Sequence, residues 1–288
     1  MTSMSMPEQT DVAHGPARRP SSPAGAVMRA LGRILRFLPQ LTLLALVILF
    51  WQFASAVWLP RIDPYMAVLM PPPTQVVKTA AGLIASGELF YHLAASLKRE
   101  AMAFILALSA IPIGIAMGWW RGVYNQVNPI MEILRPIPPL AWIPLSILWF
   151  GLGDTQNQFI IFLGMFFPIL VNTITAVKTI EPNFVRAARS LGAPERKVLT
   201  RIVLYGALPQ IVTGIRIGLG VGWMALVAAE LVGANSGLGF LINDARSMLR
   251  TDVIVVGMLT IGVVGLLIDV AIRMASARLM PWSLAMAK

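Results

Sequence analysis

Four stretches of this chain, 37–60, 101–120, 136–153 and 155–177, carry no charged side chain over at least eighteen residues each. A helix rises 1.5 Å per residue, so about 20 apolar residues cross a hydrocarbon layer of roughly 30 Å. Two further stretches, 208–231 and 253–275, are apolar around isolated charges: Arg216 and Glu230 in one, Asp269 and Arg273 in the other. In lipid every backbone N–H and C=O must be satisfied within the segment, which leaves helices as the way to use such runs. The expectation is an all-α polytopic membrane protein with six transmembrane helices. A charged content of only 12% agrees with it.

The charges then set an orientation. The chain carries a formal +10, which in a soluble protein would suggest nucleic acid. With the N-terminus inside, 15 of the 23 Lys and Arg fall on the cytoplasmic side, so the positive-inside rule accounts for the excess and no nucleic-acid partner is implied. Both termini are expected in the cytoplasm of a bacterial inner membrane, with 61–91 and 232–252 outside. Residues 1–40, rich in Pro, Ser, Gly and Arg, read as a mostly disordered basic tail; 27–38 suits a short helix on the anionic inner leaflet, or simply a solvated tail. Ala54-Ser55-Ala56 fits a signal cleavage site, but the apolar run before it is too long for a signal core. It is therefore read as the first span, within a 41–91 segment that includes the outer loop. A short helix is expected from Pro72-Pro73-Thr74 through Leu89.

The third span contains Pro136, Pro138, Pro139 and Pro144. Each removes a donor and clashes with the carbonyl one turn back, so this backbone is expected to be buried in protein or to line a water-filled path. Pro138, Pro139, Leu140 and Trp142 are therefore candidates for a translocation path; Trp142, Trp149 and Trp223 either gate it or pack. Arg216 and Glu230 stand fourteen residues apart, about four helical turns, on one side of the fifth span. Intramembrane charges default to a functional reading, with ties to neighbouring spans as the alternative. Asp269 with Arg273 and Glu132 with Arg135 read as local pairs. Gly214, Gly218, Gly220 and Gly222 form overlapping small-xxx-small patterns that favour close helix packing. With no Cys and only His14 and His92, metal and nucleophilic chemistry lack residues, so no catalytic or metal-binding residue is expected.

The basic segment 186–209 (RAARSLGAPERKVLTRIVLYGALP) lies between the fourth and fifth spans. Ala187-Ala188, Gly192 and the Ile202-x-Leu204 pair keep the spacing of the coupling loop of bacterial ABC-importer permeases, which it resembles. Arg186 stands where that pattern has Glu, and Tyr205 where it has Pro. The blocks at 133–151, 214–231 and 234–252 are similar to type I ABC importer permeases of the nitrate/sulfonate/taurine/bicarbonate branch, most of all to aliphatic-sulfonate permeases. The resemblance covers 92–277, with the coupling loop at 181–205 and a C-terminal tail at 278–288. It implies a type I ABC importer permease fold, a second permease copy (a homodimer through the fifth and third spans), two ATPase subunits and a periplasmic solute-binding protein. ATP and Mg belong to the partner ATPase, and no cofactor to this chain. The residues expected to couple are Arg186, Ala187, Ala188, Ser190, Leu191, Gly192, Ala193 and Pro194; those bordering the path are Pro138, Pro139, Leu140, Trp142, Arg216, Trp223 and Glu230. The cargo implied is a small oxyanion, aliphatic sulfonate before taurine, nitrate or bicarbonate. A membrane scaffold or channel without an ATPase stays as the alternative.

Overall fold

The computed structural model describes residues 42–280, so the readings of the basic tail at 1–40 and of the end of the C-terminal tail lie outside the described residues. By contact the chain divides into two units at Ala54–Ser55, and the following account concerns the second. The first candidate span, α1 (Thr42–Ile62), runs across that boundary and includes a π turn at Ala54–Trp58. Then come α2 (Pro64–Leu69), α3 (Pro73–Ala85), α4 (Glu88–Ala107), α5 (Ala110–Trp119) and α6 (Arg121–Leu134). A 3-10 turn at Pro139–Trp142 leads into α7 (Ile143–Phe150) and α8 (Asp154–Lys178), followed by the short α9 (Pro182–Ser190). Helix α10 (Glu195–Val198) continues through a π turn at Leu199–Val203 into α11 (Leu204–Gly233). The described chain closes with α12 (Leu238–Ser247) and α13 (Thr251–Leu279). Among the described residues, five helices are long and apolar enough to cross a membrane, and a sixth crossing exists if α6 and α7, bent by 82°, count as one broken span.

Several boundaries differ from the expectation, each for a local reason. The outer helix stops at Ala85 rather than Leu89, because Gly87 takes a left-handed φ of 78° and Glu88 restarts the chain. α6 begins at Arg121, and the break from α5 falls at Trp120, whose backbone is extended. The second span opens at Glu88, thirteen residues before the charge-free run, so it carries Lys98, Arg99 and Glu100 inside a helix. Arg99, among these three charges, is 4% exposed. Glu132 accepts a hydrogen bond from the Asn128 amide at 2.7 Å and makes no pair with Arg135.

Helix α8 is the spine of the second unit. It is apolar on all sides, and Ile160, Ile161, Met165, Ile169 and Leu170 are fully buried along it. Two neighbours approach it through glycine. On α5, a Cβ at Gly114 or Gly118 would fall 2.7 Å from Thr173 or 2.6 Å from Val177. On α11, one at Gly214, Gly218 or Gly222 would meet Asn172, Ile169 or Met165 at 2.6, 2.9 and 2.5 Å. The repeat of four keeps these three glycines on one helical face, and the close backbone contact gives van der Waals attraction that lipid cannot replace. Gly220, off that face, has nothing within 4 Å.

The end of the bundle where α4 meets α12 is closed by polar contacts. His92, Ser96 and Arg99 lie on one face of α4, spaced four and three residues apart. His92 Nδ1 accepts the Gly237 N–H at 3.1 Å, and Ser96 Oγ accepts the Leu238 N–H at 2.9 Å. Ser96 donates to the Glu230 carboxylate at 2.8 Å, and Gly239 N–H donates to it at 2.9 Å. Arg99 reaches Glu230 at 2.7 Å, the Ser236 carbonyl at 2.7 Å, the Ser236 hydroxyl at 2.9 Å and Asp154 at 2.7 Å. One guanidinium thus joins α4, α8, α11 and the loop before α12, while Ser96 and Glu230 occupy orphan donors at the α12 N-terminus. Gly237, at φ 112°, lies so close to the Glu230 carboxylate that no Cβ fits.

Two comparisons test this architecture. Gly218→Val should cost about 1–3 kcal/mol by overpacking α8, whereas Gly220→Ala should leave thermal unfolding in detergent unchanged or slightly improved. Arg99→Gln should destabilise by about 3–5 kcal/mol, because Glu230 stays buried without its cation. Arg216→Gln, which removes a half-exposed pair with Asp269, should cost under about 1 kcal/mol in the same assay.

Candidate functional site

Two regions hold the candidate residues: the basic loop between α8 and α11, and the bend between α6 and α7.

The loop is built from its caps inward. Pro182 supplies the fixed φ suited to the first position of α9. At the other end Gly192 takes φ 77°, and Ala193 N–H reaches the Ala188 carbonyl at 3.0 Å while Gly192 N–H reaches Arg189 at 2.9 Å. That is a Schellman stop, and it turns the chain directly into Pro194 and α10. Val185 packs on an apolar cluster of Ala176, Val177, Val203, Ala207 and Ile211. Ala188 is 8% exposed, so it faces its own chain. Arg189 hydrogen-bonds Glu195 through two nitrogens, at 2.7 and 3.1 Å, and its guanidinium lies 5.9 Å from the Trp119 ring. Those bonds push its already high pKa further up. Lys178 sits 3.1 Å over the Tyr124 ring.

What this leaves outward is a stripe. Phe184 is 61% exposed, Ala187 is exposed and Leu191 is 88% exposed, at spacings of three and four on one face. Arg186, which stands at the departure from the Glu pattern, is exposed and donates to Asn183 at 2.7 Å. Ser190, Gly192 and Pro194 are exposed as well, and Ala193 is half-buried. An apolar stripe rimmed by Arg186, Arg189, Arg196 and Lys197 is the surface expected of a docking element. Its apolar anchors, Phe184 and Leu191, are larger than the alanines that the sequence pattern draws attention to.

The candidates for the path separate onto different faces. Pro139 lines a cavity of about 320 Å³ with Arg135, Ile137, Leu163, Gly164, Phe167, Pro168, Val171 and Asn172, closed by Ile217 and Val221 of α11. Pro138 and Leu140 are exposed at the bend, where the backbone leaves α6. Trp142 instead joins an aromatic group, with ring centroids 6.4 Å from both Trp149 and Phe159. Arg216 and Trp223 line a second cavity of about 230 Å³, between α11 and α13. There Arg216 meets Asp269 at 2.5 Å, Arg273 meets the same carboxylate at 2.6 Å, and the Trp223 indole donates to the Ile261 carbonyl at 3.2 Å. The pair read as local, Asp269 with Arg273, is in fact a bridge that also includes Arg216. Glu230, 1% exposed, belongs to the Arg99 network at the outer end.

Some residues were missed from sequence. Arg99 and Ser96 lie in a stretch that looks like an outer loop because its charges are adjacent; only their i, i+3 register hinted at one face. Phe184, outside the expected coupling set that already held Leu191, carried a signal as a large apolar residue in a basic loop.

Comparison with known proteins places these features. Residues 110–281 match the family of binding-protein-dependent transport system inner membrane components. The taurine transport system permease protein TauC of Escherichia coli (strain K12) is 43% identical over 247 residues, 84% of this chain and 88% of TauC. A Bacillus subtilis (strain 168) chain assigned as the aliphatic sulfonates transport permease SsuC is 35% identical over 265 residues, 91% of this chain and 94% of its own length. The fold is similar to that of a chain in an inward-facing structure of the MetNI methionine ABC transporter, with a TM-score of 0.54 at 21% identity, covering 65% of this chain and 92% of that one. With its apolar helices, its type I importer fold and a family match over more than half its length, the chain belongs to the binding-protein-dependent transport system inner membrane components, the permeases of ABC importers.

Proposed function

We propose that this chain is the permease subunit of an ATP-driven importer of small oxyanions, aliphatic sulfonates first and taurine next. Two copies form the path, two ATPase subunits dock on the loops, and a periplasmic binding protein delivers the cargo. The Lys and Arg distribution supports an orientation with both termini and the loop in the cytoplasm. ATP and its Mg stay in the ATPase.

One observation carries the reading: an exposed apolar stripe on a capped helix that is continuous with a span. α9 is stopped by Gly192, pinned by Arg189 to Glu195 and Trp119, and joined through α10 to the long α11. A short amphipathic helix of this kind suits a groove on another protein. In this reading Ala187, Leu191 and Phe184 enter the groove, Arg186 and Ser190 form its rim, and Ala188, Gly192, Ala193 and Pro194 hold the shape. The path follows the Pro138–Pro139–Leu140 bend, with Trp142, Trp223, Arg216 and Glu230 as the frame that keeps its helices in place.

Placing an unpaired charge in a desolvated groove costs several kcal/mol. Leu191→Glu should therefore leave the melting temperature unchanged, since Leu191 touches little of its own chain, but should cut ATPase co-purification in mild detergent by about tenfold or more. An unchanged yield of ATPase would overturn the docking role. Failure of the parent protein to retain any ATPase would favour the scaffold or channel reading. Vesicles containing the assembled complex, offered labelled ethanesulfonate, taurine and nitrate with the binding protein, decide the cargo.

A further inference from the structure

Three arginines lie away from the ends of the spans: Arg99, Arg135 and Arg216. Arg99 grips Glu230 and Asp154, and Arg216 grips Asp269. Arg135 has no ionic or side-chain hydrogen-bond partner among the described residues; its expected partner, Glu132, accepts from Asn128 instead. Arg135 borders the 320 Å³ cavity at the bend and also a second cavity of about 230 Å³ that continues toward Lys178 and Tyr124. Both cavities share Phe167 and Val171 of α8. These stand eleven and seven residues before Lys178 at the end of that helix, so Arg135 lies roughly 10–16 Å along the span from its inner end. A cation at that depth is expensive unless it meets water or an anion.

We infer that Arg135 is the anion contact of the translocation route, taking the sulfonate or other oxyanion head of the cargo as it passes the bend. The inference rests on the importer reading above. The guanidinium offers a flat fork of donors that matches two oxygens of such a head. Opposite it the larger cavity is apolar, through Pro139, Phe167, Ile217 and Val221, which suits a short alkyl tail. Asn172, the other polar group there, is already engaged, donating to the Pro168 carbonyl at 2.8 Å and accepting from Gln210 at 3.0 Å. Glu132 faces the second cavity beside Arg135 and limits how long an anion stays. Lys178, at the far end of that cavity, gives the next positive charge inward. Binding strong enough to enter yet weak enough to leave is what conduction requires.

The chain has no Cys, so charge can be removed and restored at this one position. In vesicles with the complete complex and its binding protein, Arg135→Cys should slow uptake of labelled ethanesulfonate and taurine by about tenfold per assembled complex, the size of one lost charged hydrogen bond. ATPase stimulation by the loaded binding protein should persist. Treatment with aminoethyl methanethiosulfonate puts an ammonium on the new thiol and should recover much of the rate; methyl methanethiosulfonate, which adds no charge, should not. Uptake by Arg135→Cys at the parent rate, or equal recovery with both reagents, would overturn the assignment. If the parent complex takes up none of the anions yet hydrolyses ATP and moves an uncharged or cationic solute, the oxyanion reading itself falls, and Arg135 with it.

Discussion

The contact on which the rest depends is the grip of Arg99 on Glu230. Two charged groups sit together at one end of a helix bundle, both nearly sealed from solvent. Alone, either would be expelled; together, with Ser96, Ser236, Asp154 and the N–H groups of Leu238 and Gly239, they satisfy one another. Buried ion pairs are weak evidence of stability as such, because desolvation offsets most of the attraction. Their consequence here is register. The short α12 can begin only where its first amides meet Ser96 and Glu230, and Gly237 can pass the carboxylate only because it has no side chain. Three helices far apart in sequence, α4, α8 and α11, and the start of α12 are thereby fixed to within hydrogen-bond tolerance.

Below that level specificity changes character. Between the Arg99 network and the basic loop, α5, α8 and α11 are held mainly by glycine faces and methyl-bearing side chains, with the Gln210–Asn172 hydrogen bond as a polar link between α11 and α8. Lipid solvates a leucine as well as a protein core does, so the helices associate through close contact, and the three glycines spaced by four on α11 supply it. Away from this spine, α13 is attached by fewer and more exposed contacts, among them the Arg216–Asp269–Arg273 bridge and the Trp223 bond to Ile261. Helices joined in this way can shift against one another at a smaller cost than those packed backbone to backbone.

The legible part of the sequence was the part set by local physics. Apolar runs located the spans, because bilayer thickness fixes their length; Pro136 to Pro144 located the break, because the missing donors are written in the residues; Gly192 located the loop's stop. What escaped was pairing at a distance. Arg216 and Glu230 were rightly singled out as costly charges, but their partners, Asp269 and Arg99, are 53 and 131 residues away and no spacing rule connects them. The same blindness made Glu132 and Arg135 look like a local pair, where geometry gives Glu132 to Asn128. It also drew attention to the small alanines of the loop, when burial turns Ala188 inward and leaves Leu191 out.

Helix continuity joins these levels into a mechanism. From Glu195 to Gly233 the chain is helical, apart from a π turn, over 39 residues, or roughly 55–60 Å. One end carries Glu195, the anchor of Arg189, and the other carries Glu230, the anchor of Arg99. Between them Ile217 and Val221 form one wall of the cavity at the bend. In the proposed importer, a push on the exposed stripe of α9 would not be dissipated in a flexible loop, since the Schellman stop and the Arg189 contacts leave little slack. It passes to α11, and because the glycine face locks α11 to α8, the two tilt as one body. The opposite wall of the cavity, at Pro139, belongs to a segment without a continuous helical ladder, set 82° from α6. In that proposal a rigid wall moving against a broken one would change the width of the passage while leaving the Arg99–Glu230 knot intact. The prolines thus place compliance where a route must open, and the glycines place stiffness where force must be carried.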